Sequence, residues 1–165
     1  SALYDVVCGV RATSLRASRL AAAGIAVVVV AVDQLTKAWA RSALDDSIID
    51  LIPGFLRLAL AENSGAAFGL FKSGGQIIAV FAVVAIGVIF FVFRAVDNRA
   101  DLIGLGLVLG GAVGNLVDRL TRGDGLLDGR VTDWIDLWFI PNFNVADASI
   151  SIGVAWLLFG ALRRP

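Results

Sequence analysis

A chain of 165 residues that is 58% apolar, with a mean hydropathy of +0.84, is too hydrophobic for an ordinary soluble domain and long enough for about one domain. Fourteen basic residues balance fourteen acidic ones. The absence of histidine excludes Ser-His-Asp and Cys-His nucleophiles and histidine-ligated metals, and the single cysteine, Cys8, excludes an internal disulfide and an all-cysteine zinc site. Chemistry is left to Asp, Glu, Lys, Arg, Ser, Thr and Asn. No cofactor, metal or nucleic-acid partner is expected.

In chain order, residues 1–17 read as a poorly structured tail with no assigned function, and Cys8 as a bystander thiol. A first helix is expected over about 18–40, apolar from Leu20 to Val32 and continuing past Asp33 and Lys37. Arg11, Arg16 and Arg19 before this run, and Ala38-Trp39-Ala40 after it, imitate a secretory signal. Asp33 and Lys37 stand between the run and that site, and three more apolar runs follow, so the helix reads as uncleaved. The segment 41–75 alternates loosely from Ile48 to Phe71, with turn residues at Pro53-Gly54 and Ser64-Gly65. It reads as two or three short strands.

Helices are then expected over 76–93, 102–118 and 146–162, with a connection at 119–145. A hydrocarbon core of about 30 Å needs roughly 20 helical residues. Only Gln76–Phe93 meets that on uncharged residues alone. The other three spans must carry polar residues into the membrane edge. Four spans place both termini on one side, together with Arg94–Asp101, and that side holds seven arginines. Arginine-dense short flanks mark the cytoplasmic side.

The polar residues converge at the opposite interface. Asp33 and Lys37 end helix one, Asn115, Asp118 and Arg119 end helix three, Asn144 and Asp147 open helix four, and Asp133 lies in the loop just before it. Intramembrane ionisable groups are costly and usually face the bundle interior. Each group also has a plain structural reading. Asp33 and Lys37 have the spacing of a helical ion pair. Arg119 could hold Asp118 bidentately. Asn144 and Asp147 imitate a capping box. Gly106, Gly110 and Gly114 permit close helix packing in lipid.

Asp133 differs from these. Its neighbours are mostly hydrophobic and no basic residue follows before Arg163, so its pKa should be raised unless it is simply a solvated loop acid. Asp147 also lacks a local cation. Two such carboxyls sharing one proton could activate water and protonate a leaving amine. A Ser-Lys dyad using Lys37 or Lys72 with Ser42, Ser64 or Ser73 is the other hydrolase option. A small proton-coupled transporter is the rival class, although a relay should place ionisable residues at several depths.

Five blocks in order make the sequence resemble the lipoprotein signal peptidases, the type II signal peptidases of bacteria. They are Asp33-Gln34-Leu35-Thr36-Lys37, Glu62-Asn63-Ser64-Gly65-Ala66-Ala67-Phe68, Gly110 to Arg119, Val131-Thr132-Asp133-Trp134 and Phe143-Asn144-Val145-Ala146-Asp147. The resemblance implies an aspartic peptidase of the plasma membrane. Its substrate would be a prolipoprotein whose cysteine carries a diacylglyceryl group, cut just before that cysteine. It also implies Asp133 and Asp147 as the catalytic pair, with Asn63, Asn115, Arg119 and Asn144 lining or bracing the pocket. Asp33, Lys37 and Asp118 would be supporting polar residues, joined by Gly65 and Ala146 from the same blocks. Globomycin-type inhibitors and membrane lipid would be further partners.

Two departures stand out: Thr132 and Trp134 replace the more usual Val and Phe, and Glu62 stands where some members carry a basic residue. The expected fold is therefore an all-α membrane protein. It has four transmembrane helices, a small extracytoplasmic β-sheet serving as a cradle, and a short extracytoplasmic loop or helix.

Overall fold

The computed structural model describes residues 2–64 and 74–163, with side chains described from 14 to 64 and 76 to 163. Its elements run α1 (Ala2–Ala43), β1 (Ile48–Ile52), β2 (Leu56–Asn63), α2 (Gly74–Ala95), α3 (Arg99–Thr121), β3 (Val131–Leu137), β4 (Ile140–Phe143) and α4 (Val145–Leu162). Four stretches are long and apolar enough to cross a membrane: Ser14–Ala43, Gln76–Ala95, Arg99–Thr121 and Val145–Leu162.

The segment expected as an unstructured tail instead continues α1 as helix from Ala2. Residues 2–17 contain no proline, so nothing in the sequence stops α1 from extending toward the N-terminus. Helices α2 and α3 start and end a few residues outside the uncharged runs, and α4 starts a few residues before its run. Asn98 caps α3, its side chain accepting from the Ala100 amide at 2.9 Å, so the helix begins in polar sequence that hydropathy alone excludes.

Helix α3 is the hub of the bundle, and its glycines explain how. A Cβ on Gly106 would lie 2.6 Å from Ala22 O, and one on Gly110 would lie 2.8 Å from Ala26 O; both contacts are with α1. A Cβ on Gly111 would lie 2.4 Å from Ala146 O of α4. Lipid supplies no hydrophobic drive for helix association, so close backbone approach through small residues provides the packing. The outward faces remain apolar, with Phe81, Phe90 and Phe91 of α2 all exposed from the protein. At the arginine-rich end, Arg19 donates to Arg94 O at 2.9 Å and pairs with Asp97 at 3.3 Å, tying α1 to the α2–α3 turn.

The four strands form one antiparallel sheet in the order β1-β2-β3-β4. Strands β3 and β4 occupy a stretch expected to be loop or helix. Their sequence is short, with an irregular alternation, and pairing with the distant β2 supplies the hydrogen bonds that local pattern does not announce. Asp133 is therefore a strand residue, opposite Ala61 of β2. The end of α1 packs on β3: Trp39 and Trp134 meet edge to face at 5.6 Å, and Arg41 Nη1 donates to Thr132 Oγ1 at 3.2 Å.

Candidate active site

The innermost layer of the site is a buried ionic node. Asp33 and Lys37 lie one turn apart on α1, and their side chains have no exposed surface. Lys37 Nζ contacts Asp33 Oδ2 at 2.8 Å, Asp118 Oδ2 at 3.1 Å and Asn115 Oδ1 at 2.9 Å. All three ammonium protons are thereby committed. Lys37 cannot serve as base for a serine without breaking one of these contacts, which weighs against the Ser-Lys reading; Lys72 and Ser73 lie outside the described residues.

Asp118 also takes Arg122 Nε at 3.0 Å. Two cations therefore face two carboxylates, the condition under which a buried ion cluster is tolerable. Arg119 does not hold Asp118 as expected. Adjacent residues on a helix diverge by about 100°, whereas Arg122, four residues on, shares the face of Asp118. Gln34 completes the node, donating to Asp33 Oδ2 at 3.2 Å, Gly114 O at 3.0 Å and Asp118 Oδ1 at 3.2 Å.

Each carboxylate of the node reaches outward to a backbone amide. Asp33 Oδ1 accepts from Ala146 N at 2.9 Å, and Asp118 Oδ2 accepts from Thr132 N at 3.0 Å. Ala146 precedes Asp147 and Thr132 precedes Asp133. The node thus fixes the residue before each of the two outer aspartates.

The outer layer is a chain of amides between those aspartates. Asn144 Nδ2 lies 2.6 Å from Asp133 Oδ1, 3.1 Å from Asn115 Oδ1 and 3.3 Å from Thr132 O. Asn115 Nδ2 donates to Asp147 Oδ1 at 2.7 Å. Asn63, the last residue of β2, donates to Asp133 Oδ2 at 3.0 Å. The capping reading of Asn144 and Asp147 also holds: Asp147 N donates to Asn144 Oδ1 at 2.9 Å, and Asn144 N to Asp147 Oδ2 at 3.2 Å. One asparagine therefore starts α4 and links the two carboxyls.

Among the described residues no ion pair reaches Asp133 or Asp147. Arg119 lies within electrostatic range of both, but its Nη1 donates to Asn115 O at 3.3 Å, and its buried Nε has no hydrogen-bond partner among the described residues. Asp133 is 2% exposed. Burial pushes its carboxyl up to about 6, against the hydrogen bond from Asn63; the charge of Asp147 adds to the rise, while Asn144 and Lys37 oppose it.

The structure thus brings together Asp33, Lys37, Asn63, Asn115, Asp118, Arg119, Asp133, Asn144, Ala146 and Asp147; Gly65 lies outside the described residues. Sequence reasoning missed Gln34, Arg41 and Arg122. The i+4 spacing from Asp118 was the available signal for Arg122. The other two sit on α1 positions whose partners come from α3 and β3. Glu62, where a basic residue was noted in some relatives, pairs with Arg130 at 2.8 Å on the exposed edge.

A family model described as signal peptidase (SPase) II matches residues 25–163. The chain belongs to the signal peptidase II family. It is 43% identical over 138 residues to the lipoprotein signal peptidase of Symbiobacterium thermophilum, covering 81% of this chain and 88% of that protein. It is 40% identical over 144 residues to the one from Gloeobacter violaceus, covering 84% of this chain and 79% of the relative. A solved bacterial membrane enzyme, determined in meso at 1.9 Å, superposes with a TM-score of 0.77 at 29% identity. That match covers 88% of this chain and 94% of the other. A signal peptidase II is a multi-pass membrane peptidase, and the transporter reading finds no support: the buried acids gather at one end of the bundle rather than along it.

Proposed function

We infer that this signal peptidase II is an aspartic endopeptidase that cleaves prolipoproteins bearing a diacylglyceryl-modified cysteine, just before that cysteine. Asp133 and Asp147 are its catalytic pair. The observation that carries the reading is Asn144. Its side chain donates to Asp133 Oδ1 and its backbone amide donates to Asp147 Oδ2, so two carboxyls without ion-pair partners among the described residues are held by one residue.

The pair works with one proton between its members and titrates as a unit. The ionised carboxylate takes a proton from water as the water oxygen attacks the scissile carbonyl carbon. The protonated partner gives its proton to the carbonyl oxygen. In the second step the C–N bond breaks, the first carboxyl protonates the leaving nitrogen, and a hydroxyl proton of the tetrahedral intermediate returns to the second. One water is consumed and the pair is restored. Burial of Asp133 favours its retention of the proton, and Arg119 helps hold the single negative charge. Asn63 and Asn115 orient the two carboxyls, and Gly65, in the segment after β2, would let an extended substrate approach the backbone.

A lipid-bearing substrate fits a site at the membrane face, because acyl chains stay in the bilayer while the scissile bond meets water. The arginine-dense ends support an orientation with both termini in the cytoplasm and the site at the outer face of the plasma membrane. Globomycin-type peptides would occupy the same site.

The test is a gel-shift cleavage assay on diacylglyceryl-modified prolipoprotein in detergent, with Asp133→Asn and Asp147→Asn compared after each is shown to be folded. Loss of cleavage in both, together with inhibition of the parent by globomycin, is expected. Cleavage persisting in both variants overturns the pair. Cleavage of unlipidated precursor at equal rate overturns the substrate assignment.

A further inference from the structure

The end of the sheet farthest from Asp133 carries an aromatic cluster that the peptidase chemistry does not use. The β1–β2 turn supplies Phe55, and the β3–β4 turn supplies Trp138 and Phe139. The two turns are joined by a hydrogen bond from Trp138 N to Phe55 O at 3.3 Å. The rings form one group, with Phe55 and Phe139 centroids 6.2 Å apart and Trp138 and Phe139 meeting edge to face at 5.5 Å. A cluster of three rings normally closes a core. Here Trp138 is 71% exposed, Phe139 57% and Phe55 44%, and Leu51, Ile52 and Ile140 around them are also exposed. No ionisable residue occurs from Leu51 to Leu56 or from Leu137 to Phe143.

We propose that this aromatic tip is a membrane anchor, embedded in the interfacial layer of the leaflet on the site's side of the bilayer. Continuity with the lipid-facing surface identifies the occupant. The sheet follows α1 after residues 44–47 and enters α4 through Asn144 alone, so it lies against the ends of membrane-spanning helices. Five residue steps along the chain separate Asp133 from Trp138, about 16 Å at the strand rise. The tip is therefore far from the carboxyls yet within reach of the headgroup layer. Tryptophan and its aromatic neighbours are the side chains that favour this layer, where an apolar ring face and a polar edge are both satisfied. An uncharged aromatic patch left in water would be an aggregation surface.

The consequence for the peptidase is depth control. Strand β3 carries the anchor at one end and Asp133 at the other, so anchoring one end sets the height of the other above the hydrocarbon. The inference rests on the membrane-spanning fold and stands whether or not Asp133 and Asp147 are the catalytic pair.

The test uses the full chain in lipid nanodiscs, which leave both faces open to solutes. Emission of the parent minus that of Trp138→Phe isolates Trp138 from the other three tryptophans. That component is expected to be quenched by phosphatidylcholine brominated high on the acyl chain, and to be shielded from aqueous iodide. Quenching by iodide with none by bromolipid overturns the anchor and leaves a solvated tip. Shielding from both quenchers overturns it as well, because the tip is then covered by protein, such as a second copy of this chain.

Discussion

The amide of Thr132 donates to Asp118 Oδ2 at 3.0 Å, and this bond ties the residue before Asp133 to a helix that carries neither member of the proposed pair. Asp33 does the same for Asp147 through Ala146 N at 2.9 Å. Lys37 bridges the two clamping carboxylates, so one ammonium sets the separation of β3 from α4. Asp118→Asn keeps the shape and weakens the clamp without touching substrate. It is expected to lower kcat by about 10- to 100-fold with KM little changed, the cost of a displacement of around 1 Å at the reacting groups. Steady-state cleavage with a melting control checks this, and an equal loss in KM would contradict a positioning role.

Lys37→Met tests the same node from its centre. Removing the ammonium leaves two buried carboxylates facing each other, and a buried pair that loses one member costs about 3–5 kcal/mol. The variant is expected to melt far below the parent in detergent. Combining it with Asp33→Asn, which removes one uncompensated charge, should recover part of the loss.

The fold was legible wherever the membrane imposes a rule. Four apolar runs, their order and the convergence of polar residues at one end all follow from the cost of placing charge in hydrocarbon. Strands β3 and β4 were not legible, because their partner is β2, across two intervening helices, and their own pattern is irregular. The same reason hid Arg41, whose partner Thr132 lies on β3. Asp118 shows the limit of local spacing: the neighbour Arg119 was expected to hold it, yet Arg122 and Lys37 do. Asn144 shows the opposite case. The cap suggested by its spacing is real, and the same side chain also reaches Asp133.

Asp133 supplies a pH dependence whose sign is fixed. Its carboxyl rises from an ordinary 3.8 to about 6 in the folded protein. The folded state therefore holds the proton more tightly than the unfolded chain does. The favourable contribution is present below about pH 4 and is lost as pH rises through 6, amounting to roughly 3 kcal/mol. Asp133→Asn removes that penalty but sets an amide against the donors of Asn63 and Asn144, a loss of about 1–2 kcal/mol. The variant should consequently melt above the parent at pH 8 and below it at pH 4. No crossover between those pH values would contradict the buried, raised carboxyl.

Cleavage should follow the same group. A pair that needs one proton loses activity when the last proton leaves, so kcat/KM is expected to fall on the alkaline side with a midpoint near 6. Substrate binding removes more water from the carboxyls and should move the corresponding limb of kcat upward. A profile that stays flat from pH 5 to 8 would count against Asp133 as a member of the pair.

Gly111 links helix packing to the site. A Cβ there would sit 2.4 Å from Ala146 O and 2.7 Å from Ile150 Cγ1, and the carbonyl cannot rotate away because it shares a peptide plane with the Asp147 amide, which is held by Asn144 Oδ1 at 2.9 Å. Gly111→Ala must therefore push α4 off α3, at a cost of about 1–3 kcal/mol in stability. The displacement carries Asp147 with it and stretches the Asn115–Asp147 bond. Activity should fall further than the melting shift alone explains. Gly24→Ala, where an added Cβ meets nothing within 4 Å, is the control: it should be neutral or slightly stabilising through helix propensity. Equal behaviour of the two variants would mean that the α3–α4 approach does not set the position of Asp147.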